Sequence, residues 1–137
     1  MENNFHLVGT MKTDKQIIGR RGEDEACSWL LGEGHIILMR NWRAGHLELD
    51  IITLTGNILH IIEVKTRKEG APVPPEVNVG YDKRRRMVSA AHAFLNSDYR
   101  ARIPANLEIW LDVLTVVFTE TEPRIEYFPQ AFIPFYV

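Results

Sequence analysis

The sequence is poor in cysteine, has no long apolar run and carries no excess of positive charge, and each absence excludes a class of protein. A single cysteine, Cys27, can form neither an internal disulfide nor a cysteine-based metal centre. No segment approaches the roughly 18 consecutive apolar residues that span a membrane, and the first residues lack the apolar segment of a secretion signal. We therefore expect a cytoplasmic protein with no membrane partner.

The balance of charge excludes a protein that coats nucleic acid through its overall field. The 16 Lys and Arg residues are outnumbered by 18 Asp and Glu residues, and the net charge is -2. Any binding to a polyanion must therefore come from a local basic patch. A length of 137 residues and an apolar fraction of 45% suffice for one packed domain. We assign residues 1–13 to a loose N-terminal lead-in and residues 14–137 to a single domain.

The strongest pattern in the sequence is a pair of alternating apolar and polar segments, residues 47–55 and 58–67, joined by Gly56-Asn57. Both turn residues tolerate a positive φ, so they predict a β-hairpin with a two-residue loop. The loop length fixes which residues of the two strands lie opposite each other. This hairpin is the segment around which we expect the rest of the sheet to assemble.

Four charged residues of the hairpin are predicted to share one face of the sheet, with Asp50 opposite Glu63 and Glu48 opposite Lys65. Two opposed carboxylates repel each other unless a cation lies between them or one of them is protonated. Hard divalent cations such as Mg²⁺ bind oxygen ligands, and a nearby lysine stabilises developing negative charge. The pattern therefore indicates metal-assisted phosphodiester cleavage. The alternative is a solvated strand face with a Glu48–Lys65 ion pair.

Helices and further strands are predicted on both sides of the hairpin in the sequence. Helices are predicted at residues 14–31 and 81–96, and strands at residues 35–43, 107–119 and 124–128. On the first helix, Gly19 and Gly22 permit close approach to a sheet, and Glu23 borders the buried face. Residues 68–79 are rich in proline and predict a loop, which is either a flap over a substrate or an ordinary surface crossover. The apolar residues 132–136 must cover either this core or a partner subunit.

A run of cations begins the second helix: Lys83, Arg84, Arg85 and Arg86. Positive charge at a helix N-terminus opposes the helix dipole, so helix stability does not explain the run, whereas phosphate binding does. A solvated charged face is the alternative. The other candidate nucleic-acid contacts are Arg67, which belongs to the same predicted patch as Lys65 and Lys68, and Arg43, which flanks Trp42.

Several other polar or aromatic residues have structural interpretations. Asp112 is the one acid inside a long apolar strand, and we favour a hydrogen-bonded structural carboxylate. His60 alternates with apolar residues on the face opposite Glu63, which indicates a partly buried structural histidine. His46 lies in a short connection, and we expect it to be neither a ligand nor a proton carrier. For Trp42 we favour packing at the end of the sheet over stacking on a base.

Several short motifs occur in an order that resembles a known family. They are Gly19-Arg-Arg-Gly-Glu23-x-x-Ala26, Arg40-Asn-Trp-Arg43, Glu48-Leu-Asp50-Ile-Ile52, Glu63-Val-Lys65-Thr-Arg67, Val79 with Lys83 and Arg86, and Leu111-Asp112-Val113. The acid followed by Glu-x-Lys across a hairpin resembles the restriction-endonuclease-like, PD-(D/E)xK, nuclease superfamily. The full set is similar to the YraN-like family of small bacterial proteins.

The resemblance implies an α/β fold with an αβββαβ core, in which helices flank a central mixed sheet. It implies that Asp50 and Glu63 ligate Mg²⁺ or Mn²⁺. It also implies that Glu23 adds a third carboxylate to this catalytic set and that Lys65 is the catalytic lysine. Two cations at the start of the second helix, Lys83 and Arg86, would hold the phosphate backbone of the substrate.

Three functions are compatible with these residues. The first is a metal-dependent endonuclease that hydrolyses DNA, with branched or otherwise structured DNA among its candidate substrates. The second is a nuclease-like fold that binds nucleic acid without cutting it. The third is an interaction protein that assembles as a homodimer through its apolar C-terminal residues. We expect the first, with DNA favoured over RNA as the partner.

Overall fold

The computed structural model describes residues 13–71 and 80–131, and this part of the chain contains two α-helices, five β-strands and a short 3-10 helix. In chain order these are α1 (Asp14–Gly32), β1 (Ile36–Ala44), β2 (Leu47–Thr55), β3 (Ile58–Lys68), α2 (Tyr81–Leu95), the 3-10 helix (Asp98–Arg102), β4 (Glu108–Phe118) and β5 (Arg124–Phe128). The order αβββαβ, followed by a fifth strand, confirms the predicted α/β core.

The strands form one mixed sheet in the order β1-β2-β3-β4-β5. β3 and β4 are parallel, and the other neighbouring pairs are antiparallel. A parallel pair needs a crossover connection, and α2 lies on the chain between its two strands. Buried apolar residues form two clusters, one between the sheet and α1 around Leu30 and the other between the sheet and α2 around Phe94. The predicted sheet flanked by helices is therefore confirmed.

The hairpin of β2 and β3 has the predicted register over five pairs, from Thr55–Ile58 at the turn to Ile51–Ile62. Gly56 has a φ of 59°, the left-handed conformation that a tight reversal requires and that glycine adopts without steric penalty. The loop chemistry read from the sequence therefore determines the pairing near the turn.

The register fails before it reaches the charged residues. Within the described strands, the pairing of β2 with β3 ends at Ile51–Ile62, so the expected backbone pairs of Asp50 with Glu63 and of Glu48 with Lys65 do not form. These two parts of the prediction are wrong. The reason lies in the strand β2 itself.

Strand β2 changes which face it presents at Asp50. Leu49 and Ile52 are both buried in the cluster against α2, whereas Ile51 is buried in the cluster against α1. A regular strand alternates faces at every residue, so residues 49 and 51 would lie on the same face. The alternation is interrupted at Asp50, and β2 leaves β3 at this position.

Thr13 caps α1: its Oγ1 accepts a hydrogen bond from the Gln16 N–H at 3.1 Å, and the Gln16 side chain accepts one from the Thr13 N–H at 2.9 Å.

A small residue lets α1 approach the sheet. A Cβ atom at Gly22 would lie 1.9 Å from Cγ2 of Thr66 on β3, so this close approach depends on glycine. The same prediction for Gly19 is wrong, because among the described residues no atom beyond its chain neighbours and the backbone of its own helix lies within 4 Å of its Cβ position.

Some predicted segments lie outside the described residues. These are most of the N-terminal lead-in, the loop from residue 72 to 79, and the apolar residues 132–137. The homodimer contact expected of the apolar C-terminal residues therefore stays a prediction. Within the described residues, neither helix has the length and apolar character needed to cross a membrane.

Candidate functional site

The Asp50 carboxylate lies where β2 and β3 separate. Its Oδ2 accepts a hydrogen bond from the backbone N–H of Val64 at 2.9 Å, directly beyond the last regular strand pair. The side chain is half-buried, and the neighbouring Glu63 is close enough to act on it electrostatically. The two acids of the hairpin pattern therefore lie within electrostatic reach of each other, and a side-chain hydrogen bond between Asp50 and β3 replaces the regular pairing at this level.

The surroundings raise the pKa of the Asp50 carboxyl from its ordinary value of 3.8 to about 7. Burial is the largest cause of this pKa shift, and repulsion by the Glu63 carboxylate is the next. Among the smaller effects, the Val64 N–H lowers the pKa, Glu23 raises it further, and Lys83 lowers it. Near neutral pH this carboxyl is only partly ionised, and a bound cation would favour the ionised form.

Two lysines lie beside these acids. Lys83 Nζ on α2 lies 3.2 Å from Glu63 Oε2, so a residue predicted to bind phosphate is paired with an acid of the site. Lys65 follows Glu63 by two residues on β3 and therefore projects from the same face of the strand. Its side chain is half-buried. Glu63 and Lys65 pair in regular register with Val113 and Thr115 of β4, so both belong to one regular strand, and the catalytic role of Lys65 stays a prediction.

Glu23 approaches the site from α1. Its Oε1 accepts a hydrogen bond from Asn41 Nδ2 at 3.0 Å and lies 3.8 Å from Arg40 Nη2. The side chain is 20% exposed, and its charge contributes to the raised pKa of Asp50. Within residues 13–71 and 80–131, however, no three His, Cys, Asp or Glu side chains form a group arranged to hold a metal ion, so the predicted set of Asp50, Glu63 and Glu23 is not assembled as a three-ligand site. Asp50 and Glu63 remain the candidate ligand pair, and Glu23 acts on Asp50 electrostatically.

Glu48 is separate from the acidic site. It is the register partner of Arg43 across β1 and β2, and Arg43 Nη2 lies 3.4 Å from Glu48 Oε2. The alternative Glu48–Lys65 ion pair is wrong because β2 and β3 have already separated at this level. Arg43, a candidate nucleic-acid contact, remains 71% exposed.

Trp42, next to Arg43 on β1, packs edge-on against Phe94 with ring centroids 5.3 Å apart. This contact confirms the packing interpretation of Trp42.

The predicted basic patch is divided among several partners. Arg67 Nη2 lies 3.6 Å from Glu126 Oε1 on β5. On α2, Arg84 is half-buried, whereas Arg85 and Arg86 are exposed. Those two arginines line a surface groove of about 440 Å³ together with His46 of the β1–β2 turn. The cations at the start of α2 therefore face two directions, with Lys83 toward Glu63 and the exposed arginines toward the turn.

A second polar cluster is buried on the α1 face of the sheet. The fully buried Asp112 accepts hydrogen bonds from the Tyr127 hydroxyl, from His60 Nδ1 at 2.7 Å and from the backbone N–H of Gln130 at 2.9 Å. The other ring nitrogen of His60 lies 2.7 Å from Thr55 Oγ1. Asp112 is therefore the hydrogen-bonded carboxylate that the sequence predicted, and His60 is almost fully buried.

Asn41 is a residue of this site that the sequence analysis does not identify. It has a φ of 52° within β1, and the strand pairs on either side of it place it level with Asp50. Asparagine is one of the few residues that adopt the left-handed conformation readily. An asparagine inside a segment that otherwise reads as a strand was the available signal.

A mixed five-stranded sheet between two helices, with two acids and a lysine where its central hairpin opens, defines a restriction-endonuclease-like α/β domain. The chain belongs to the Uncharacterised protein family UPF0102, whose model matches residues 22–121. This confirms the predicted YraN-like family, and the matched range contains Glu23, Asp50, Glu63 and Lys65.

Relatives of the chain carry the same family description. It is 42% identical over 120 residues to the UPF0102 protein of Anaeromyxobacter dehalogenans, which covers 86% of this chain and 85% of that protein. It is 37% identical over 117 residues to the one of Bacteroides thetaiotaomicron, covering 85% and 93% of the two chains. With the one of Nitratidesulfovibrio vulgaris it shares 47% identity over 77 residues, which is 56% of this chain and 58% of that protein.

Proposed function

We propose that the protein is a metal-dependent endonuclease that hydrolyses phosphodiester bonds in DNA. The observation that supports this most directly is the meeting of Asp50 and Glu63 where β2 and β3 separate. Two carboxylates at close range in a partly buried place are unfavourable without a counter-ion, and a divalent cation would relieve their repulsion. The donor set fits Mg²⁺ or Mn²⁺, since such ions commonly bind one or two carboxylates together with water and substrate phosphate.

The side chains of the site have separate roles in this proposal. Asp50 and Glu63 would hold the cation, which supplies Lewis acidity when it is bound. The Val64 N–H keeps one oxygen of Asp50 in a fixed orientation. Lys65 would stabilise negative charge that develops on the phosphate. Lys83, whose ammonium group contacts Glu63, would exchange that partner for a phosphate of the substrate.

Cleavage assays test the proposal. Supercoiled plasmid and labelled linear or four-way branched DNA are incubated with the protein and Mn²⁺ or Mg²⁺. Asp50→Asn and Lys65→Ala are each expected to slow cleavage on the order of 100-fold or more, because each removes a group that acts on the reacting phosphate. Glu48→Gln is the matched control, since it neutralises an acid of the same strand that pairs with Arg43 away from the site.

Calorimetric titration with Mn²⁺ provides an independent measurement. We expect one binding site in the unaltered protein and in Glu48→Gln, and none in Asp50→Asn. Cleavage that proceeds at the same rate in Asp50→Asn and Lys65→Ala as in the unaltered protein would contradict the proposal. Equal Mn²⁺ affinity in all of these proteins would contradict the assignment of the ligands.

A second candidate is a nuclease-like domain that binds nucleic acid without cutting it. It is favoured by the 3.2 Å contact of Lys83 with Glu63, because an ammonium group neutralises one of the two acids without a metal. The exposed Arg85 and Arg86 would then contact phosphates. This function predicts DNA binding that weakens with salt, survives Asp50→Asn and falls in an Arg85→Ala, Arg86→Ala double variant. Fluorescence anisotropy measures it, and binding that responds to neither salt nor these arginines would contradict it.

A further inference from the structure

The Arg40-Asn-Trp-Arg43 motif is not explained by the proposed function. Three of its side chains make contacts that join elements of the fold. Arg40 Nη2 lies 2.8 Å from Asp24 Oδ1 on α1, Trp42 packs on α2, and Arg43 pairs with a residue of β2. The fourth, Asn41, instead contacts Glu23, which belongs to the site.

The backbone of Asn41 has a conformation that strands rarely contain. Its φ of 52° lies in the left-handed region, which is unfavourable for most residues but is tolerated by asparagine and glycine. Residues held in such conformations cluster at functional sites. Met39 and Trp42, three residues apart, both pack toward α2, so β1 interrupts its alternation at this level. The interruption directs Asn41 toward α1, where its Nδ2 donates to Glu23 Oε1 at 3.0 Å.

The interruption of β1 at Asn41 and the change of face of β2 at Asp50 lie side by side in the sheet. The pairs of β1 with β2 on either side place Asn41 beside Asp50, and β2 also changes face there. Arg40 Nη2 lies 3.8 Å from the same oxygen of Glu23, which is too far for a hydrogen bond that would orient the carboxylate. Among the described residues, the Asn41 amide is therefore the group whose hydrogen bond orients the Glu23 carboxylate.

We infer that Asn41 is a positioning residue, which holds the Glu23 carboxylate near Asp50 and so strengthens cation binding at the proposed site. The inference rests on the proposed function. Asn41 acts through Glu23: a fixed negative charge next to Asp50 attracts the cation, and a carboxylate that turns freely does so less. The other three side chains of the Arg40-Asn-Trp-Arg43 motif hold β1 against α1, α2 and β2. They therefore fix the strand from which Asn41 contacts Glu23.

Mn²⁺ affinity in a double-mutant cycle tests the inference. Titration calorimetry is performed on the unaltered chain, Asn41→Gly, Glu23→Gln and the double variant. Glycine adopts the positive φ freely, so Asn41→Gly removes the amide without adding strain. We expect about 10-fold weaker Mn²⁺ binding in Asn41→Gly, the lower end of the range for residues that orient metal-site carboxylates and histidines. In the Glu23→Gln background the same change is expected to cause no further loss, because both act through one group.

Controls and other outcomes separate this inference from the proposed function. Glu25→Gln, at an exposed acid of the same helix, matches the charge change of Glu23→Gln and is expected to leave the affinity unchanged. Losses that add in the double variant overturn the positioning role, as does a lower melting temperature of Asn41→Gly at unchanged affinity. Unchanged affinity in both single variants, with none in Asp50→Asn, overturns this inference and leaves the proposed function standing. No Mn²⁺ binding by the unaltered chain overturns the proposed function.

Discussion

Asp112 and Asp50 are acids of the same sheet with opposite surroundings. Asp112 is fully buried and accepts hydrogen bonds from a tyrosine hydroxyl, a histidine ring and a backbone N–H. Asp50 is half-buried, accepts a hydrogen bond from Val64 and faces the like charge of Glu63. Both acids are at least partly removed from water. The difference on which the comparison rests is how well the negative charge of each one is compensated.

This difference separates an acid that stabilises the fold from one that destabilises it. A buried carboxylate with several donors rigidifies the fold, because removing it would leave each donor without an acceptor. A carboxylate that is repelled by another one and only partly compensated destabilises the fold, and groups of this kind concentrate at functional sites. The comparison therefore predicts opposite signs for the stability change when each acid is replaced.

The largest expected effect on stability is that of Asp112→Ala. The substitution leaves the Tyr127 hydroxyl, the His60 ring and the Gln130 N–H buried without their acceptor. We expect a loss of about 3–5 kcal/mol in the free energy of unfolding, a large part of the total for a domain of this size. Urea unfolding followed by circular dichroism measures it.

Asp24→Ala is the control for this experiment. Asp24 is also an acid with a hydrogen-bond partner, Arg40, but its side chain is 58% exposed, so a change below about 1 kcal/mol is expected. Similar urea midpoints for Asp112→Ala and the unaltered chain would show that the cluster around Asp112 does not stabilise the fold.

Asp50→Asn is expected to stabilise the protein at alkaline pH. Because the pKa of Asp50 rises from 3.8 to about 7 on folding, the folded chain holds this proton more tightly than the unfolded chain does. The stability contributed by this proton is fully present below about pH 4 and is lost as the pH rises through 7. The neutral amide avoids that loss, so we expect a gain of about 2 kcal/mol at pH 8, less than the full linkage energy because the amide accepts more weakly from Val64.

Urea unfolding without divalent cations at pH 4 and pH 8 measures this gain. The two proteins are expected to have similar stability at pH 4 and to diverge as the pH rises. Glu48→Gln, at an exposed acid of the same strand, is expected to change little at either pH. If Asp50→Asn unfolds at lower urea than the unaltered chain at pH 8, the contrast between the two acids is wrong.

Much of the fold could be predicted from local sequence, and the register of the hairpin shows why. Gly56-Asn57 determines the loop, and the loop determines the pairs up to Ile51–Ile62 without any help from the rest of the chain. The regular register of β3 with β4 also keeps Glu63 and Lys65 on one face, since two residues two apart on a regular strand share a face. The pairing near the turn, which a purely local pattern predicted, is therefore confirmed.

The parts that could not be predicted depend on distant elements. Leu49 packs against α2 and Ile51 packs against α1, and this packing causes the change of face at Asp50. No local sequence pattern reveals it. The partners of the charged residues are also set by distant segments, as Lys83 with Glu63 and Arg67 with Glu126 show. Sequence spacing selected Asp50 and Glu63 as candidates but did not predict the hydrogen bond from Val64 that holds Asp50.

Two buried threonines extend the comparison from carboxylates to hydroxyl groups. Thr53 and Thr115 both have 0% exposure. The Thr53 hydroxyl lies 2.7 Å from His35 Nδ1, whereas the Thr115 hydroxyl has no hydrogen-bond partner in the described part of the chain. Thr115 is the register partner of Lys65 and so lies beside the proposed site.

Valine has nearly the shape of threonine, so the same substitution at both positions isolates the hydroxyl. Thr53→Val leaves the His35 ring nitrogen unpaired and is expected to cost about 1–2 kcal/mol, whereas Thr115→Val removes a desolvated hydroxyl and is expected to gain about 1 kcal/mol. Urea midpoints at one pH measure both. A loss of similar size at both positions would mean that packing alone decides the effect. Opposite signs would mean that polar groups without hydrogen-bond partners lie on the side of the sheet that carries Lys65. A substrate bound there would supply those partners.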